Sequence, residues 1–579
     1  MPQRLTLALP AFLLVASAAT IAPRAAGPTL PAETLLDRAV LTALDEELSG
    51  VAAKDHVSRL TQFHRVPASP GFHEAIEYVM GRAKAFGLSD VHVETFPGDG
   101  TTYFRTLHGN RGWRVDGGSL DEVKPRPRRI ISVDDVRLAV ADNSESADVT
   151  VELVDVGGGA ERRDYDGKDV RGRLVLCDAT PSACHAQAVE EHGAVGLVSY
   201  NSNQVSAWWR DDADLIRWGH LDARGRKNTF AMMISLREAR SLRQRLGNGE
   251  RITLHAVVRA RNDDTLPYET LIATIPGADP AAGDIVFSCH LDHEKPGAND
   301  NASGCSANLE IARALKTLID HWIYQEGGFG IPSIYLRDHP DIYIHTTGDL
   351  ADNIEPTKIK RSAFIAAASG YYLATMPDRG ASLLRLSYAN AHERLAEDGR
   401  RAAAMASNPA HVGEAATIVA QGVLREQRRL RSLERFGLGS RPDAPDAAEL
   451  SAGLARTATS ILLTFMPRTG AEQLARAGFH RPSTDPRVPV RNASVRGPLA
   501  PDGEWVLDRA GAGRSTSTAI SRLPRSDDLT YEVANFIDGV RSVGEIRDAV
   551  SAEFEPLDLK AVAEYIELLA RAGAVTFRK

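Results

Sequence analysis

Asp284-Ile-Val-Phe-Ser-Cys-His290-Leu-Asp292-His-Glu-Lys-Pro-Gly-Ala-Asn-Asp300-Asn-Ala-Ser-Gly304 is the stretch on which the reading of this chain turns. Its apolar start, Ile285 to Phe287, has the look of a short buried strand. His290 and Asp292 follow at His-x-Asp spacing, then a Pro-Gly turn, then Asp300 among small residues. From Cys305 to Leu318 the apolar residues Leu309, Ala312, Leu315 and Leu318 recur at helical spacing. Strand, polar loop and helix start form the place where an open α/β sheet holds its ligands. Imidazole nitrogen and carboxylate oxygen are usual donors to zinc, so the constellation reads as a divalent metal site. A lone His-x-Asp would be no more than a polar turn.

Outward from this stretch, the 579-residue chain is too long for one core. Hydrophobic residues at 43% and charged residues at 25% are ordinary for globular domains. A net charge of −8 creates no field for nucleic acid, and no nucleic-acid partner is expected. Arg4, the apolar run 5–15 and Ala16-Ser17-Ala18 form a secretory signal pattern, so residues 1–26 are expected to be removed and the protein secreted or periplasmic. No later stretch is long and apolar enough to span, so no membrane span is expected after cleavage. Of the four cysteines, Cys177 and Cys184 are close enough in sequence to pair, and Cys289 reads as a buried thiol beside the site. No Cys-x-x-Cys suggests a cysteine metal site, and no Gly-x-Ser-x-Gly elbow suggests a serine hydrolase.

In chain order, residues 33–51 read as an amphipathic helix, 56–71 as turn-rich, 74–86 as a helix and 91–96 as a strand. Strands are expected at 149–156, 172–177 and 194–200, with a helical piece at 186–192. The run Ala207 to Ala213, with Trp208 and Trp209, reads equally as a groove lining or a surface loop. Residues 271–275 re-enter the main sheet, 331–336 read as another buried strand and 357–373 as a helix. Two or three helices follow over 379–436, divided near Ser407-Asn-Pro409, with Arg425 to Arg435 expected as a solvated face. A Gly/Pro hinge is expected at 437–445, and 472–522 is turn-rich. Helices at 531–536, 543–554 and 558–573 and a strand at 574–577 resemble a winged-helix module.

His290-Leu-Asp292, Pro296 to Gly304, Leu309 to Leu315, Gly330-Ile-Pro-Ser-Ile and Tyr343-Ile-His345-Thr together resemble the zinc exopeptidases of metallopeptidase family twenty-eight. That is the bacterial leucyl aminopeptidase, glutamate carboxypeptidase and transferrin receptor group. Asp166 to Leu176 and Gly193 to Val198 resemble the protease-associated domain that accompanies such enzymes. The resemblance implies an α/β architecture: a shortened, mixed-sheet zinc exopeptidase-like domain over 27–142 and 261–376, with a β-rich protease-associated insert over 143–260. A helical region and linker over 377–525 and the winged-helix-like module over 526–579 complete the chain. It implies zinc on His290 and His345, Asp300 bridging two ions, and Asp292 orienting His290. It also implies a peptide or protein substrate; no particular oligomeric state follows.

The pattern breaks after Asp300. The family places two adjacent carboxylates, a general base and a ligand, on a strand between the bridging Asp and the last His. Here no Glu-Glu or Glu-Asp pair lies between Asp300 and His345, and only 55 positions separate His290 from His345. One βα unit takes about 30 residues, so an internal deletion is the simplest explanation. Glu326 and Asp338 are the substitute ligands at hand, and the general base is unassigned. The expectation is an aminopeptidase-family protein of impaired activity, or else a non-catalytic exported protein that binds peptides or proteins.

Overall fold

The computed structural model describes residues 36–201, 213–222, 227, 229–277, 284–318, 336, 343–375, 380–433, 446–482, 484–497, 499, 504–511 and 518–578. The signal pattern at 1–26, the tryptophan run up to 212, Glu326, all but the last residue of the 331–336 strand, Asp338 and the 437–445 hinge lie outside the described residues. The architecture is mixed α/β with a helical C-terminal part.

The largest sheet has seven strands in the order Arg128–Ser132, Trp113–Lys124, Thr253–Asn262, Ala147–Gly157, Leu174–Cys177, Gly196–Ser199, Ala231–Met233. The first four are antiparallel neighbours and the last four run parallel. Leu174–Cys177, Gly196–Ser199 and Ala231–Met233 are buried at every position, which explains their unbroken small and apolar sequences. The sheet begins at Trp113, ahead of residue 143, because Trp113–Lys124 pairs along nearly the whole of Thr253–Asn262.

The second core gathers five helices, Arg38–Glu47, Gly50–Leu60, Pro70–Ala85, Gly304–Leu318 and Pro356–Thr375, about a two-stranded ribbon. In place of one helix over 33–51 there are two. Ser49 interrupts them by capping the second, accepting a hydrogen bond from the Ala52 N–H at 3.1 Å, so part of the expected turn at 56–71 is helical. Ser69 caps the helix Pro70–Ala85 in the same way, with proline in its first turn. The ribbon pairs Ser89–Phe96 antiparallel to Tyr268–Thr274.

The expected buried strand at Ile285 to Phe287 does not form. These residues are irregular, with Val286 45% exposed, because among the described residues no strand lies alongside to complete their hydrogen bonds. The cysteine expectation is also corrected. Cys289 is exposed and disulfide-bonded to Cys305, with Cα atoms 5.3 Å apart, whereas Cys177 and Cys184 are buried free thiols.

Helices Gly380–Ala406, Val412–Ser432 and Ala447–Leu462 form a third core. Arg425 is not on a solvated face. It joins Asp398 at 2.8 Å and the fully buried Glu426 at 3.0 Å, and Arg394 holds Glu426 from the other side at 2.6 Å. The tail comprises helices Ser526–Asn535, Val543–Glu553 and Leu559–Arg571, and its strand Val575–Phe577 pairs with Pro489–Arg491. Arg547 fastens it to the third core through Glu414 at 2.7 Å. Among the described residues no helix is long and apolar enough to cross a membrane.

One side chain carries the loop 290–300. Arg65 has no exposed surface. Its guanidinium donates to the carbonyls of Leu60 (2.5 Å), Leu291 (2.8 Å), Pro296 (3.3 Å) and Gly297 (2.8 Å). Its backbone exchanges hydrogen bonds with His293 at 2.8 and 2.9 Å. Arg65→Met removes every side-chain donor and leaves buried carbonyls unpaired, at a cost of about 3–5 kcal/mol. Denaturant unfolding is expected to show that loss, and amide exchange between residues 290 and 300 is expected to quicken.

Candidate metal centre

His290, Asp300 and His345 come together, although 55 positions of chain separate the two histidines. The His290 Nε2 lies 3.0 Å from Asp300 Oδ1, and the His345 Nε2 lies 2.7 Å from Asp300 Oδ2. Asp300 thus presents one oxygen to each imidazole. Asp292 Oδ1 is 3.4 Å from the other ring nitrogen of His290. The loop is held from below by Asp349, which accepts the backbone N–H groups of Asn299 (2.6 Å) and Asp300 (3.1 Å).

His293, the residue directly after the His-x-Asp, enters the same group. Its Nε2 is buried without a hydrogen-bond partner and lies 3.9 Å from Asp300 Oδ2. His293, Asp300 and His345 offer ligand atoms that all lie within 4.8 Å of one another. Burial pushes the His293 imidazole down to about 4, so it is neutral and has a lone pair to offer. Three such donors are what a zinc ion takes from protein while keeping a position for water. The donor set therefore fits one ion on the His345 side. His290 and Asp300 alone leave a second position two-coordinate. Among the described residues no further carboxylate joins the group.

The two carboxylates beside His290 set its charge. Ion pairing with Asp292, then with Asp300, raises His290 to about 10. Burial pushes the Asp300 carboxyl up, but His290 and His345 outweigh it and hold Asp300 well below the usual carboxylate range. A proton on His290 thus takes the part of a cation beside Asp300.

Segment 213–222 closes the site from the large sheet. Trp218 donates its backbone N–H to the His345 carbonyl at 3.1 Å. Its indole stacks on His345 at 3.7 Å between ring centroids and on His293 at 5.0 Å. His293, Trp218, Arg65 and Asp349 were not singled out in the sequence. Only His293 left a trace there, as a second histidine inside the signature.

Residues 270–319 match the sequence profile of peptidase family M28. Curated proteins return no match. Among solved structures, an aminopeptidase from Aneurinibacillus sp. strain AM-1 shares 23% identity over 48% of this chain and 61% of that one, with TM-score 0.31. A zinc aminopeptidase from Bacillus subtilis shares 20% over 47% and 58%, with TM-score 0.34. A peptidase M28 precursor from Shewanella amazonensis shares 14% over 58% and 96%, with TM-score 0.43. The chain spans less than two thirds of the length of the first two. These are partial likenesses, and it is the match over residues 270–319 that bears on this chain.

Because the His290 pKa stands above its ordinary 6.5, its contribution to stability is complete below that value and is lost as pH rises through about 10. The metal-free chain is therefore expected to show a thermal midpoint that falls between pH 7 and 10. His290→Gln is expected to flatten that fall, as read by thermal melts in the presence of chelator.

Proposed function

From the match of residues 270–319 to the profile of peptidase family M28, we propose that this chain holds one zinc ion on His293, Asp300 and His345 and hydrolyses the amino end of peptides only weakly. The observation that carries the reading is the three-donor group around Asp300, with no further carboxylate beside it among the described residues. A zinc ion bound there supplies Lewis-acid polarisation of a carbonyl and a water of lowered pKa. Asp300 holds the two imidazoles apart, and Trp218 fixes the planes of His293 and His345 by stacking. Asp292 keeps the His290 ring oriented. The residue that would take a proton from the attacking water is unassigned, and a positioned base contributes typically 10²–10⁴-fold.

Export is part of the proposal. It is supported by the N-terminal signal pattern and by the Cys289–Cys305 disulfide, which suits an oxidising compartment. The seven-stranded module is read as a protease-associated domain, and the tail as a winged-helix-like packing element. The unassigned base also leaves room for a second reading, a non-catalytic exported protein that uses the metal to bind the end of a peptide.

Purified chain is expected to carry zinc, to lose it on Asp300→Asn, and to turn over aminoacyl chromogenic substrates at least about 10²-fold below the ~10 s⁻¹ of an ordinary enzyme. Turnover at ordinary rates, abolished by Asp300→Asn, would overturn the weak-activity reading. Absence of zinc from the folded chain would overturn the site. Zinc with no turnover and saturable peptide binding would select the second reading.

A further inference from the structure

A second cluster of donors lies where the large sheet's module meets the loop 290–300. Asp142 and His220 come from the module and Glu294 from the loop, and their ligand atoms all lie within 4.8 Å of one another. His220 Nδ1 is 3.1 Å from Asp142 Oδ2 and 3.6 Å from Glu294 Oε1. Ligands at zinc–ligand distances of about 2.0–2.2 Å and tetrahedral angles stand roughly 3.2–3.6 Å apart. Both separations are close to that range.

One observation besides the clustering itself points to a ligand here. Asp142 and Glu294 are each only 4% exposed, yet Asp142 Oδ1 and Glu294 Oε1 have no hydrogen-bond partner. Buried carboxylate oxygens without donors are costly, and a cation between them removes the cost. Backbone pairing also fixes the geometry. The Asp142 N–H donates to the Gly219 carbonyl at 2.8 Å, and the Leu221 N–H donates to the Asp142 carbonyl at 2.9 Å, so Asp142 and His220 stand side by side. The neighbouring His293 is clamped to the Arg65 backbone, which places Glu294. His220 is the accessible member, with its side chain 46% exposed, so an ion can arrive from solvent and keep a water.

We propose that Asp142, His220 and Glu294 form a second zinc-type site that staples the large sheet's module to the loop carrying His290 and Asp300. One imidazole and two carboxylates suit zinc better than the hard cations calcium and magnesium, which take six or more oxygens. The site shares no ligand with the His293–Asp300–His345 group. Trp218 separates the two: its ring stacks on His293 and His345 and meets the His220 ring edge-on at 4.7 Å. The proposal does not depend on peptidase activity.

The test counts zinc by elemental analysis on the full chain, stripped with chelator and reloaded with zinc alone. In the Asp300→Asn/His345→Ala background, one zinc per chain is expected to remain. Adding His220→Ala or Glu294→Gln is expected to remove it or weaken it by at least about 100-fold, with circular dichroism unchanged. A natively folded Asp300→Asn/His345→Ala chain without zinc would overturn the proposal. Should that background fail to fold, His220→Ala in the otherwise unaltered chain decides the matter. A drop of one zinc supports the site, and an unchanged count overturns it. If the unaltered chain holds a single zinc that His220→Ala removes and Asp300→Asn does not, this site stands and the His293–Asp300–His345 reading fails.

Discussion

A guanidinium with no exposed surface is expensive to take out of water, and Arg65 offsets the cost by donating to four carbonyls, three of them between Leu291 and Gly297. Burial lowers its pKa to about 10, while Asp349, Asp292, Asp300 and Glu294 favour its charge. The loop 290–300 is irregular, so it has no ladder of its own to hold His290 and Asp300 in place. Arg65 serves as that ladder from the end of the helix Gly50–Leu60. Asp349 completes the support from the other side through the Asn299 and Asp300 amides.

This support matters because no paired strand precedes the loop among the described residues. An open α/β sheet normally presents such a loop from the end of a paired strand. Among the described residues Ile285 to Phe287 pair with no strand, and the ribbon of this core has two strands. The Cys289–Cys305 disulfide ties the start of the loop to the helix Gly304–Leu318, a covalent substitute for part of the missing pairing. Segment 213–222 adds a further restraint, since Trp218 packs on His293 and His345 while its backbone bonds the His345 carbonyl. The large module is thus joined to the candidate metal site rather than hung beside it.

The local elements were legible because their causes are local. The alternation in Val149 to Val156 and the unbroken apolar runs at 174–177 and 196–199 became strands, and the period from Leu309 to Leu318 became the helix Gly304–Leu318. Errors arose where a local preference lacked a tertiary partner or met an unforeseen one. The run at 285–287 has strand chemistry but no strand neighbour among the described residues. Ser49 turned one amphipathic stretch into two helices by capping. Arg425 has the composition of a solvated face, yet Glu426 behind it is buried and draws it inward. Cys177 and Cys184 are close in sequence but stay reduced, whereas Cys289 found its partner across the loop.

By itself the sequence determined the signature: His290, Asp292 and Asp300 on one loop before one helix, with His345 later. Spacing, turn residues and helical period are properties of neighbouring residues and survive in a one-dimensional reading. The tertiary structure alone decided that His293 faces Asp300, that Arg65 and Trp218 hold the loop, and that Asp142 and His220 meet Glu294. His293 is only seven positions from Asp300 but no periodicity aims it there, and Arg65, Asp142, Trp218 and His220 lie far from the loop in the chain. Packing of the large module against the loop brings them together, and only the folded chain specifies that packing.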